Sequence, residues 1–285
     1  MSGQPLTLLY VPADRPDRVA KALASPADVV LVDLEDAVAP SRKVEARENA
    51  VGLLGSIPGG GAEAGGRAGA RAVQVRINHP ATPWHAGDVA ALAALPRRVG
   101  ARIPKVESAE EVRALAAALP GRELHLLVES ALGVERAFEL ATASTQVASI
   151  GLGEADLRSD LRLDGDEGLA WARSRVVVAA RAARLAPPHM SAYTNVRDLD
   201  GLAASCRAGR ALGFSGRTAI HPGQLDTIRT AFLPDADEVA AAREVLARVG
   251  DAATEGVGVV ALPDGTFLDV AMVERARWVL GLADR

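Results

Sequence analysis

Charged residues recur where short apolar runs end. Asp33, Glu35 and Asp36 follow the run Val29–Val32, and Arg76 closes "AVQVR". Lys105 and Glu107 follow "ARIP", Glu129 closes "LHLLVE", Glu154 and Asp156 follow "SIGLG", and His221 follows "RTAI". Carboxylates gathered without clustered cysteine or histidine favour a hard cation. Mg2+ takes octahedral oxygen ligands, usually one or two carboxylates completed by water and substrate oxygens. Glu129 and Asp156 are the best pair of direct ligands. Glu35 and Asp36 would then hold metal-bound waters, and Arg76 offers a planar fork to a substrate carboxylate. Each residue also has a plainer reading. A strand-end acid is commonly a helix N-cap or an ion-pair partner, so Glu35 and Asp36 could cap the helix near Ser41. Lys105 could be a solvated loop charge, and Arg76 could pair with any of the acids. His221, before Pro222, suits a structural role at a helix start.

The elements that would position these residues alternate in type. Thr7–Pro12 reads as a strand, followed by a helix through Ala24. The segment "DVVLVDLE" reads as a second strand, with a helix from near Ser41. Ala72–Asn78 is a third strand, followed by the helix around "AGDVAALAAL". "GARIPKV" is a fourth, then a helix capped by Ser108 with Glu111 in a capping box. "ELHLLVES" and "VASIGLGEAD" are the fifth and sixth strands, separated by "GVERAFELAT" as a helix. The long helix "GLAWARSRVVVAARAARL" precedes a poorer strand near "HMSAYT", and "LDGLAASCRAGRAL" leads to an eighth at "RTAIHP". Near-continuous apolar strands alternating with helices imply a parallel sheet covered on both faces. Eight such units predict a (β/α)8 TIM barrel over residues 1–230, with a doubly wound open sheet as the alternative. A barrel places its active site at the C-terminal strand ends, where the charges are. Residues 231–285 form a C-terminal extension, two helices flanking a hairpin that turns at Asp264-Gly265, and could serve as a lid or oligomerisation arm. The Gly- and Ala-rich stretch 56–70 reads as a loop. It lacks the flanking residues of a phosphate-binding loop.

Composition narrows the class. The chain has 285 residues and a net charge of −4, with 3% aromatic residues. Neither a basic face nor stacking platforms for bases are expected, so nucleic acid is not the partner. No apolar run approaches the ~20 residues that span a bilayer, and the N-terminus lacks a basic region followed by a long apolar one. A soluble, cytoplasmic protein is the expectation, with no membrane partner. Cys206, the one cysteine, lies in an alanine-rich helical pattern and reads as a small core residue.

"LLYVPADRP", "VVLVDLEDAV", "KVEAR", "VRIN", "PKVESAEEV", "LLVESALGV" and "GFSGRTAIHPGQ" together resemble successive motifs of citrate lyase β-subunit-like proteins. These belong to the HpcH/HpaI aldolase group of the phosphoenolpyruvate/pyruvate superfamily, and the likeness runs from about Leu8 to Ala283. The resemblance implies a (β/α)8 barrel assembled as a homotrimer or hexamer. It implies Mg2+-dependent cleavage or formation of a carbon–carbon bond in a 3-hydroxy acyl thioester. Citryl, malyl or citramalyl groups on coenzyme A or an acyl carrier are the implied substrates, and a 2-keto acid such as oxaloacetate, glyoxylate or pyruvate is the partner product. By motif, Glu129 and Asp156 correspond to the metal ligands, Arg76 to the substrate-binding arginine, and Glu35 and Asp36 to the acidic second-strand motif. Lys105 is a further expected substrate-binding residue. Asp269 falls where the family's C-terminal segment supplies a catalytic aspartate to a neighbouring subunit's site. The chain departs from the pattern at Leu6, Ala13, Arg217, Val270 and "SAYTNV". Two other readings stay open: a class II pyruvate-type aldolase acting on free hydroxy-keto acids, and a keto-acid-binding homologue without turnover.

Overall fold

A computed structural model describes residues 4–56, 72–255, 260–261 and 267–283. The stretch 57–71, which holds nearly all of the glycine-rich segment, and the Asp264-Gly265 turn lie outside the described residues. Two compact units are present, Gln4–Arg229 and the segment from Thr230 onward.

The first unit alternates strands with helices in the expected order. Its strands are β1 (Thr7–Pro12), β2 (Val29–Asp33), β3 (Ala72–Arg76), β4 (Val99–Ile103), β5 (Leu124–Val128), β6 (Val147–Leu152), β7 (His189–Met190) and β8 (Gly216–Ala219). They form one parallel sheet in the order β6-β5-β4-β3-β2-β1-β8-β7, a nearly closed (β/α)8 TIM barrel. The break in the ladder lies between β6 and β7. The helices are α1 (Pro16–Ala24), α2 (Lys43–Gly55), α3 (His85–Ala94), α4 (Ala109–Ala118), α5 (Ala131–Glu135), α6 (Ala137–Ala141), α7 (Glu154–Leu161), α8 (Ala170–Ala182), α9 (Leu199–Ala211) and α10 (Leu225–Phe232). Three details differ from the expectation. The helix expected over "GVERAFELAT" is broken at Arg136 into α5 and α6. "GLGEAD" is not all strand: β6 ends at Leu152, and Glu154 starts α7, so Asp156 stands in a helix's first turn. Ser108 caps α4, but Glu110, not Glu111, pairs with its hydroxyl.

Strand residues alternate between lumen and helix layer, and register partners share a face. Val30, Val32, Val75, Ala101, Ile103, Leu124, Leu126 and Val128 form the buried layer under the helices. Small residues such as Ala46, Ala50, Ala179 and Ala180, all buried, bring helix backbones close to the strands. The other face holds Asp33, in register with Arg76, then Arg102, His125 and Ser149 in turn. Polar groups close the N-terminal end. Asp28 accepts from the amides of Leu6 (2.8 Å) and Thr7 (2.9 Å), and Arg122 donates to the carbonyls of Leu95, Pro96 and Val99.

The second unit comprises α11 (Ala236–Glu255), the antiparallel pair β9 (Val260–Ala261) and β10 (Phe267–Leu268), and α12 (Val270–Ala283). Ala242, Val245, Ala276 and Val279 are buried between its helices.

Candidate active site

The acidic loop after β2 is built by its own charges. Asp33, buried at the strand end, accepts from the amides of Glu35 (2.9 Å) and Ala37 (3.2 Å), which turns the chain back on itself. Lys43, the first residue of α2, is also buried. Its ammonium donates to the carbonyls of Leu34 (2.8 Å) and Glu35 (2.7 Å) and lies over the Trp84 ring. Sequence reasoning did not single out Lys43. A lysine in a helix's first turn reads as a surface charge until the loop folds over it.

Arg76, ending β3, meets Asp33 bidentately through Nε (2.8 Å) and Nη2 (2.6 Å). Its Nη1 lies 2.9 Å from Glu35 Oε2 and 3.5 Å from Asp36, and its guanidinium stacks over the Tyr10 ring. Burial works against the Arg76 charge, yet Asp33 and Glu35 hold its pKa far above the ordinary arginine range. Asp33 therefore takes the fork, leaving Nη1 to face Glu35 and Asp36. Glu35 Oε2, though within ion-pair distance, has no aligned hydrogen bond. Burial raises the Glu35 pKa, against the opposing pull of Arg76 and the Lys105 hydrogen bond.

Lys105 follows Pro104 with a left-handed backbone, φ 52°. A non-glycine residue there is uncommon, and such strain persists only where surrounding contacts fix it. Here its amide donates to Glu129 Oε2 (3.0 Å) while its ammonium binds Glu35 Oε1 (2.7 Å) and approaches Asp36 (3.6 Å). Burial lowers the ammonium's pKa, but Glu35 outweighs that and holds it above the usual lysine range. Lys105 is thus tied into the cluster, not a solvated loop charge.

Glu129 follows β5 and is buried. A Cβ placed on Gly153 would overlap its carboxylate, so this glycine gives Glu129 its seat. Burial, reinforced by the charges of Glu35 and Asp156, pushes the Glu129 pKa up to about 8, against Arg76 and Lys105. Asp156 is half-buried and close enough for its charge to be felt there. The other strand-end acids are engaged elsewhere. Glu154 forms a buried fork with Arg173 (2.8 Å at both oxygens), and Glu107 accepts from the Ser130 hydroxyl. His221 caps the turn at Pro222–Gln224, the structural role expected of it. Asp269 lies in the second unit, where its side chain accepts from the Met272 amide (2.8 Å) and caps α12. Cys206 is buried.

Glu129, Asp156, Glu35 and Asp36 thus share one mouth with two cations, Arg76 and Lys105. Among the described residues, no group of three or more His, Cys, Asp or Glu side chains is placed to hold a metal. The Glu129–Asp156 pair suits Mg2+, which accepts few protein ligands and keeps positions for water and substrate. A buried carboxylate whose charge is disfavoured by its acidic neighbours fits a divalent ion.

Residues 6–222 match the HpcH/HpaI aldolase/citrate lyase family. The chain belongs to this family. Among its relatives is the citrate lyase subunit beta of Leuconostoc mesenteroides, 32% identical over 98% of this chain and 93% of that protein. The (3S)-malyl-CoA thioesterase of Cereibacter sphaeroides is 34% identical over 98% and 94%. The crystal structure of Mycobacterium tuberculosis CitE in complex with magnesium, acetoacetate and coenzyme A covers 100% of both chains, with a TM-score of 0.82 and 31% identity. That CitE chain therefore shares this fold along its whole length.

The Glu129 seat makes one prediction direct. Gly153→Ala should lower Mg2+ affinity by roughly 10- to 100-fold, the usual cost of disturbing the surroundings that position a metal-binding side chain. Titration calorimetry with Mg2+, beside a thermal melt, checks this. An unchanged affinity would show that Glu129 does not depend on Gly153.

Proposed function

We propose that this chain is a Mg2+-dependent carbon–carbon lyase, or the reverse condensing enzyme, acting on a 3-hydroxy acyl thioester such as citryl-, malyl- or citramalyl-CoA. The products are an acyl thioester and a 2-keto acid. The observation that carries this reading is the buried Glu129 carboxylate, linked through Lys105 to Glu35 and Arg76 at the strand ends. Family membership and the magnesium and coenzyme A bound by the CitE neighbour support it.

Glu129 and Asp156 would hold the ion, and when bound it supplies Lewis-acid stabilisation of charge on the keto-acid oxygens. Arg76 presents its Nη1 edge to the substrate carboxylate, with Asp33 fixing the guanidinium plane. Lys105 and Glu35 orient each other at the same mouth, and Asp36 completes the acidic rim. In cleavage a base takes the hydroxyl proton, the carbon–carbon bond breaks, and its electron pair passes to the thioester enolate, which is then protonated. Asp269 is the proposed base, contributed from a neighbouring subunit by the extension 231–285 acting as arm or lid. Homotrimer or hexamer assembly belongs to the same proposal. Exposed Phe138, Trp171 and Val178 on α6 and α8 offer an apolar face for it. Among the described residues no helix is long and apolar enough to cross a membrane.

Asp269→Asn should preserve the α12 cap, since Asn caps about as well as Asp, while abolishing turnover with keto-acid binding intact. Normal turnover would remove Asp269 from the chemistry. The reading as a whole is tested by incubating the protein and Mg2+ with malyl-, citramalyl- and citryl-CoA and with free hydroxy-keto acids. A keto acid and a shorter acyl thioester are expected. Free CoA with the intact hydroxy acid would instead mark a thioesterase, the activity named for the Cereibacter relative. Cleavage of free acids alone would mark an aldolase.

A further inference from the structure

A TIM-barrel lumen is ordinarily filled by bulky branched side chains. One half of this lumen follows that rule, with Leu8, Val29 and Leu31 packed against Tyr10. The other half does not. Gly100 sits beside His125 and Gln74, and a Cβ there would crowd both side chains. A small cavity lies in the lumen, lined by Arg102, Leu127, Ser149, Gly151, His189 and Thr218 among others. It admits about one water-sized particle.

Arg102 is a lumen cation with no ion-pair partner among the described residues. It is 5% exposed, and its one hydrogen bond among the described residues is from Nε to Gln74 Oε1 at 3.2 Å. No carboxylate among the described residues forms an ion pair with it. Its guanidinium cannot shed a proton, and it carries five N–H donors. A buried cation without a counter-charge is costly. Burial disfavours its charge and Arg76 is a second cation nearby, while Tyr10 and Glu129, which favour the charge, form no hydrogen bond with it among the described residues. The two lumen histidines add no negative charge. Burial pushes His189 down to about 4, with its Nε2 on the Pro5 carbonyl, and burial also lowers His125, whose Nδ1 meets the Ser149 hydroxyl.

We propose that the barrel lumen holds a small monovalent anion, of the size and class of chloride, on the Arg102 guanidinium beneath the active site. Thr218 also lines the cavity, and its hydroxyl would be the second donor. The inference is independent of the reaction the mouth performs. An anion here would neutralise the one lumen cation that has no partner acid among the described residues, and the tight cavity would favour chloride over the larger halides. Exposed anion sites show the opposite order, because weakly hydrated iodide adheres best to open protein surface.

The test uses the full chain with Mg2+ present. Long-wavelength diffraction from crystals grown in chloride should show an anomalous peak within hydrogen-bond reach of the Arg102 guanidinium. Melting temperature should rise with chloride by several degrees relative to gluconate at equal ionic strength, as expected for a ligand of the folded state, and the gain should shrink from chloride to bromide to iodide. Arg102→Met should lose the chloride-dependent gain. Density for water with no anomalous signal would overturn the proposal. So would an adventitious ion only, meaning a peak without any chloride-dependent stabilisation. Should Arg102→Met fail to fold, the wild-type peak and the halide order still decide.

Discussion

Glu129→Gln should remove turnover by about a thousandfold or more, since a Lewis-acid site contributes several kcal/mol and each ~1.4 kcal/mol is tenfold in rate. The same substitution should stabilise the metal-free protein at alkaline pH. The sign follows from the raised value. The Glu129 pKa moves from 4.5 up to about 8, so its folded-state contribution is fully present below 4.5 and is lost as pH rises through 8. Each tenfold change in the proton's affinity is worth on the order of 1.4 kcal/mol. Without metal, wild-type protein should therefore lose stability from mildly acidic to mildly alkaline pH. Bound Mg2+ replaces the proton, so the melting-temperature gain on adding Mg2+ should grow over that range. Glutamine, being neutral and of the same shape, should flatten both dependences. Melts with and without Mg2+ across the range check this, and a Mg2+ gain that falls with rising pH would contradict the assignment of Glu129 as ligand.

Arg76→Met should be the most destabilising change at the mouth. It leaves Asp33 and Glu35, both buried, without the guanidinium that joins them. Breaking a buried ion pair by removing one partner costs roughly 3–5 kcal/mol, and turnover should vanish with the anchor. Arg76→Lys restores charge but not the fork, so it should recover part of the stability and little activity. The double variant Asp33→Asn with Arg76→Met should recover stability relative to Arg76→Met alone, because the uncompensated carboxylate is gone. Chemical denaturation of wild type, the two single variants and the double variant forms a double-mutant cycle that measures this coupling. Strict additivity would mean that the Asp33–Arg76 fork contributes nothing.

Alternation of apolar runs with helical patterns was enough to predict eight strands and their order along the chain. All the runs but the seventh have the length and composition of a strand buried on both faces, and such strands need a helix on the outside. The placement of charge at strand ends was equally legible, because a barrel funnels those ends to one mouth. The boundary between β6 and α7 was harder to read. Nothing in "GLGEAD" separates a strand end from a helix start until Leu152 pairs with Val128 and Glu154 meets Arg173. Arg173 is distant in sequence, so no local pattern could name it.

The barrel, its acidic mouth and the residues available there are written in the order of the amino acids, since residue type and period act locally along the chain. Which oxygens face one another is not. Folding alone sets that: Asp33 takes the Arg76 fork, Lys43 closes under the acidic loop, Gly153 makes room for Glu129, and Arg102 stays buried in the lumen with no partner acid among the described residues. These outcomes depend on the register between staves and on burial, which sets the energy of each charge through contacts made between residues far apart in the chain.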